Sequence, residues 1–240
     1  VTPTDGSVTG DKLASNIAIA TTADASFGSK IGVNTTHPAS GAGLDKFIEV
    51  QGGDPGVVLR DDTASDAVEL YNAGGNFIVY TGSADAFKID SAGHITKPLQ
   101  SAFHVDPSTD QNNFGQNPDA WVNVVFGTEV FDQNADFASN TFTAPVTGRY
   151  FLNAVVRLNS VDEAANYYWL RLNTSNRIIY GTLYDLDGLG SDPNYWALTV
   201  CALTDMDAND TVTLDIIQNG GTIQTDVDGS GTHFSGFLAC

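Results

Sequence analysis

Three acidic loops and one aromatic strand are where this sequence concentrates residues able to do chemistry. The segments DLDGLGSD (185–192) and DVDGSG (226–231) place Asp185, Asp187, Asp192, Asp226 and Asp228 among glycines. Carboxylates and backbone carbonyls of such loops can supply the roughly six to eight oxygens that calcium takes at flexible geometry. The second segment opens as an EF-hand loop does. Its twelfth position is Phe237 rather than glutamate, and no helices flank it, so the EF-hand reading fails. The third segment, DMDAND (205–210), reads as a turn leading into a strand. For every one of these loops the alternative is an Asp/Gly turn whose side chains hydrogen-bond their own backbone.

The aromatic strand is YYWLRL (167–172). Period-2 alternation puts Tyr168, Leu170 and Leu172 on a core face and Tyr167, Trp169 and Arg171 on the opposite one. Aromatic rings beside hydrogen-bonding groups suit the C–H faces of sugars, and exposed aromatics also mark protein interfaces. Packing under a loop or at a subunit seam is the alternative. Catalysis finds little support. His37, His94, His104 and His233 are scattered, and there is no Gly-x-Ser-x-Gly elbow, His-Glu-x-x-His or phosphate loop. The abundant carboxylates sit in turns, where solvent holds their pKa values down. A binding role rather than an enzymatic one is expected, with no catalytic residue.

The elements that must position these residues are strands. Helical periodicity of useful length is absent, so the chain is all-β. FTAPVTGRYF (142–151), continued to Leu158, reads as a strand, a corner and a long second strand. Pro145 fixes its own φ, and Gly148 is expected to supply a positive φ at the corner. Tyr150, Leu152, Ala154, Val156 and Leu158 alternate onto a core face. The other face, Phe151, Asn153, Val155 and Arg157, is too apolar for water alone. It implies packing against another subunit, with Phe151, Asn153 and Val155 at the interface.

Together with FTAPVTGRYF, the segments NDTVTL (209–214) and FSGFL (234–238) match in order and spacing the globular heads of complement C1q and the related TNF-like jelly rolls. The resemblance covers residues 101–240 and includes Phe103 and Phe126 on the first strands. It implies a ten-stranded jelly roll that assembles as a tight homotrimer, binds ligands and has no catalytic site. It also implies that the strand carrying Tyr167, Trp169 and Arg171 lies in the outer sheet. Asp185 and Asp192 fall where collagen-type members of the family place calcium-binding aspartates near the trimer axis, making Ca2+ the one cofactor to expect.

Upstream, VTGDKLAS (8–15) resembles a unit of phage tail and neck fibre shafts, and KIGVNTTHP (30–38) resembles a repeat of fibre proteins and surface adhesins. Residues 1–30 are poor in side-chain volume, which suits chains wound around a common axis. Residues 31–97 carry short strands at 47–50, 57–60, 68–71, 76–80 and 86–89 between glycine-rich turns. Pro98 breaks the ladder. The division is therefore a fibre-shaft-like region over 1–97 and a head over 98–240.

Charge limits the partners. With 10 Lys+Arg against 29 Asp+Glu the chain carries −19, so nucleic acid and anionic membrane surfaces are poor partners for it. No apolar run is long enough to insert into a membrane as a helix. Two cysteines, Cys201 and Cys240, make no disulfide framework, and Cys201 is expected to be a small buried hydrophobe. Taken together, these features point to the distal region of a trimeric phage tail or neck fibre, in the virion or extracellular, whose head recognises a host-surface glycan or protein. The alternatives are a structural trimerisation cap that binds nothing, or a secreted bacterial adhesin or lectin.

Overall fold

The structure is a computed structural model that describes residues 53–60, 67–114, 119–186 and 188–240. The two fibre-like motifs at 8–15 and 30–38, the strand expected at 47–50, and Asp187 lie outside the described residues. Those that are described belong to one unit, Gly52–Cys240, and hold seventeen strands and no helix.

The first five strands form an antiparallel meander in chain order: β1 (Gly56–Arg60), β2 (Ala67–Ala73), β3 (Asn76–Tyr80), β4 (Asp85–Ile89) and β5 (Ile95–Thr96). The first four fall at the strands expected at 57–60, 68–71, 76–80 and 86–89, while β5 lies just before Pro98, where no strand was expected. Among the described residues only Ile78 of this sheet is a fully buried hydrophobe. Along β1 every residue is exposed. A single layer of this kind has no core of its own.

Twelve strands follow: β6 (Ala102–Asp106), β7 (Val122–Asn123), β8 (Thr128–Asp132), β9 (Phe137–Ala138), β10 (Thr141–Thr143), β11 (Gly148–Asn159), β12 (Ala165–Thr174), β13 (Ile178–Tyr184), β14 (Tyr195–Met206), β15 (Thr211–Gly220), β16 (Asp226–Val227) and β17 (His233–Leu238). Ten of them build two five-stranded sheets, ordered β13-β12-β15-β10-β9 and β14-β11-β17-β6-β8. The short β7 and β16 add to β15 and β11. The fold is an all-β, ten-strand jelly roll. Within residues 121–126 only Val122–Asn123 pairs as strand; Val124 and Phe126 instead turn inward as buried loop residues.

Both sheets are amphipathic with period 2, and their inner faces make the core. On β11, Tyr150, Leu152, Ala154, Val156 and Leu158 are fully buried. On β12, Tyr168, Leu170 and Leu172 do the same. Phe103 sits at the aromatic centre, stacked on Phe142 and Phe137 at centroid distances of 4.7 and 5.2 Å, with Phe234 edge-on at 5.0 Å. Tyr150 is the one large core residue of β11 with a polar atom, and its hydroxyl donates to the Val146 carbonyl at 2.7 Å. Burial raises its pKa, a hydrogen-bonded phenol being cheaper to bury than a phenolate.

Two expectations need correction. Gly148 is not at positive φ. A Cβ there would lie 2.7 Å from Leu238 Cδ1 and 2.8 Å from the Cys240 carbonyl oxygen, so its glycine is required by close approach of the last residues. Arg149 N–H donates to that same carbonyl at 2.7 Å. Cys201 is exposed rather than buried. Alternation along β14 points Leu198, Val200 and Met206 into the core and leaves Cys201 on the opposite face, across from Asn153.

Candidate functional site

The outward face of the β13-β12-β15 sheet gathers aromatics from two strands and a loop. Tyr167, Trp169 and Arg171 of β12 share that face, with Tyr167 edge-on to Trp169 at 6.4 Å. Two rings that sequence reasoning did not join to them complete the group. Tyr180 of β13 stacks on Trp169 at 4.1 Å, and Trp121, one residue before β7, lies 6.1 Å from Trp169 and 5.9 Å from Tyr180. The signal for Tyr180 was alternation along β13. For Trp121 it was register, since β7 pairs with β15 through Asn123↔Asp215 and Val122↔Ile216.

Buried charge fixes the group. Asp215, 6% exposed, accepts from Arg171 Nε at 2.9 Å on Oδ2 and lies 2.8 Å from an outer nitrogen of the same guanidinium. Its Oδ1 accepts from the Thr213 hydroxyl at 3.0 Å and the Asn123 amide at 3.2 Å. The Arg171 guanidinium in turn lies 4.1 Å from the Trp121 ring centroid. Trp169 Nε1 donates to the Gly181 carbonyl at 2.9 Å. Ile217, although on the outward side of β15, is 5% exposed beneath this layer. The rings are held by hydrogen bonds and a buried ion pair, so what they offer a ligand is flat carbon surface already in place.

The acidic loops are arranged differently. Asp192 accepts from Glu163 N–H at 3.0 Å and from the Gln224 amide at 2.9 Å, and the Gln224 contact leads in lowering its pKa. Asp226 accepts from Asn113 N–H at 2.7 Å. Asp228 accepts from the Ser230 hydroxyl and N–H at 2.6 and 2.7 Å and pairs with Arg157 at 3.5 Å. Asp185 is exposed and has an interaction partner. Among the described residues no three His, Cys, Asp or Glu side chains are grouped to hold a metal ion. The DMDAND segment is the turn expected, with Asp207 N–H donating to Asp210 at 2.8 Å.

The other sheet presents a second surface. On its outward face Phe151 lies between Leu203 of β14 and Phe237 of β17, and Phe131 lies opposite His104. Leu203 is 60%, Phe131 50%, Phe237 47% and Phe151 37% exposed, so this face is apolar and open. Asn153 and Val155 are half-buried on the same face.

His104 and His233 stack there at 5.5 Å with an interplanar angle of 14°. Desolvation lowers the His233 pKa below its usual 6.5, the His104 charge adds to this, and Asp106 opposes it. Asp106 also accepts from, or pairs with, His104 at 3.2 Å. Since the folded His233 binds its proton less readily than the unfolded one, its neutral form stabilises the fold above the unfolded pKa. That contribution is lost as pH falls through 6.5 toward the lowered folded value. Melting temperature is therefore expected to fall between pH 7.5 and 5.5, a window above the carboxylate range. His233→Asn should flatten that fall; an unchanged slope in the variant would assign it to other groups.

Two stacked sheets with closed aromatic centre and short terminal strands define the class as a jelly-roll β-sandwich. The chain is similar in structure to the globular domain of zebrafish complement 1qA protein, at 18% identity and TM-score 0.42 over 59% of this chain and 98% of that one. It is also similar to murine APRIL in the crystal at pH 5.0, at 12% identity and TM-score 0.41 over 58% of this chain and 98% of that one. No family model matches the sequence, and no curated protein does. No helix of the described residues is long and apolar enough to cross a membrane.

Proposed function

We propose that this chain is the distal region of a trimeric phage tail or neck fibre, with residues 1–97 as the shaft-like part and 98–240 as a head that recognises the host surface. The observation carrying it is the open apolar face of the β14-β11-β17-β6-β8 sheet. Phe151, Leu203, Phe237 and Phe131 are all exposed on this one face, and an exposed apolar face is the mark of an interaction surface. Three copies packing these faces around one axis would cover them. The single-layer meander β1 to β5, with exposed Val57, Val58 and Leu59, asks for the same kind of cover. On this reading the aromatic group of the opposite sheet stays outside the trimer and is free to meet a host glycan or protein. Calcium shared between protomers through Asp185 and Asp192 belongs to the same reading.

Light scattering of the parent protein is expected to give three times 25.3 kDa, independent of dilution. A monomer would retire the proposal. Labelled trimer is then expected to adsorb to host bacterial cells and to be displaced by unlabelled protein. A trimer that adsorbs to no cell would favour the trimerisation cap.

A further inference from the structure

We propose that the groove beside Tyr180 binds a neutral pyranose ring of an extended glycan. The inference rests on reading the chain as a surface-recognising head and names the ligand class. Where the edges of the two sheets meet, a groove of about 390 Å³ is lined by Tyr180, Gly181, Thr182, Thr199, Val200 and Cys201. Gly181 brings the edges together: a Cβ there would lie 2.5 Å from the Thr199 carbonyl oxygen and 2.9 Å from Val200 Cβ. Any larger residue would push β13 away from β14 and open the groove.

Its walls differ in chemistry. Tyr180 is 46% exposed and backed by Trp169 at 4.1 Å, which holds the phenol ring as a fixed flat wall. Thr182, two residues along the same strand, and Thr199 on the β14 side also line the groove. Among the described residues no hydrogen bond uses the Tyr180, Thr182 or Thr199 hydroxyl, unlike the satisfied polar atoms of Arg171, Asp215 and Trp169. A flat apolar wall rimmed by unused donors and acceptors matches a sugar ring, whose axial C–H groups form one face and whose hydroxyls form the edge. A protein partner would use a broader patch. The charge of −19 disfavours sialylated or phosphorylated sugars, so the class is neutral. Thr199 and Cys201 border the face assigned to the trimer, while Tyr180 and Thr182 lie on the solvent side.

The test uses the intact chain, with tryptophan fluorescence reporting through Trp169. The probes are cellotetraose, mannotetraose and chitotetraose, with an α2,8-linked sialic acid tetramer as the anionic member. At least one neutral oligosaccharide is expected to give a saturable change. Tyr180→Ala should weaken it about tenfold or more, and Thr182→Val should weaken it less, with mass by light scattering unchanged in both. The inference is overturned if no neutral probe binds up to about 10 mM, if Tyr180→Ala binds like the parent, or if the sialic acid tetramer binds best. A trimer without sugar binding sinks this inference alone, and a monomeric parent sinks the fibre reading instead.

Discussion

Phe103→Ala is expected to destabilise the jelly roll by roughly 3–5 kcal/mol, the range for removing a buried aromatic ring whose surroundings cannot collapse. Phe103 is 1% exposed and touches rings from three separate elements, Phe137 on β9, Phe142 on β10 and Phe234 on β17, while Phe126 of the loop after β7 packs on Phe137 and Phe234 in turn. Those elements belong to both sheets, so the ring ties one layer to the other. Its neighbours are held by pairing on their own strands, which limits how far they can move inward to fill the space. Urea unfolding checks the value. Phe131→Ala, on an exposed face of the same sheet, should cost much less in a monomer. If Phe103→Ala cost under about 1 kcal/mol, the aromatic centre would not be the main link between layers.

How much of this was legible follows from which forces act locally. The strands of the head were readable where alternation runs without interruption, as on β11 and β12. Tyr168, Leu170 and Leu172 on β12, and the even-numbered residues of β11 from Tyr150 to Leu158, are buried as alternation requires. The Tyr167, Trp169 and Arg171 face was readable for the same reason. Their partners were not. Asp215, Trp121 and Tyr180 reach that face through strand order and register, which are set by long-range pairing rather than local pattern. Gly148 shows the same limit in one residue. A glycine after a proline corner suggests a positive φ, but here the tight approach of Leu238 and Cys240 is what excludes a side chain. Cys201 was misplaced because an apolar run such as ALTVCAL carries no sign of which face is outward. Its register with Asn153 decides that.

Val155→Asp is expected to turn the proposed trimer into monomers. Val155 lies on the outward face of β11, opposite Thr199 on one side and His233 on the other, in the row that begins with Phe151. In the proposed assembly three copies of that row converge, so the substitution brings three carboxylates together while removing water from them. An unpaired charge buried in this way costs several kcal/mol, and with a surplus of negative charge on every chain few cations are at hand to offset it. The jelly roll itself should survive, since the core face of β11 is untouched. Light scattering should then read about 25.3 kDa with an unchanged β-sheet circular dichroism spectrum. Ile178→Asp is the matched control. Ile178 is 45% exposed and belongs to the other sheet, paired with Asn173, so its charge stays in water and the mass should remain that of the parent. A Val155→Asp protein that stays trimeric would show that a different face forms the contact.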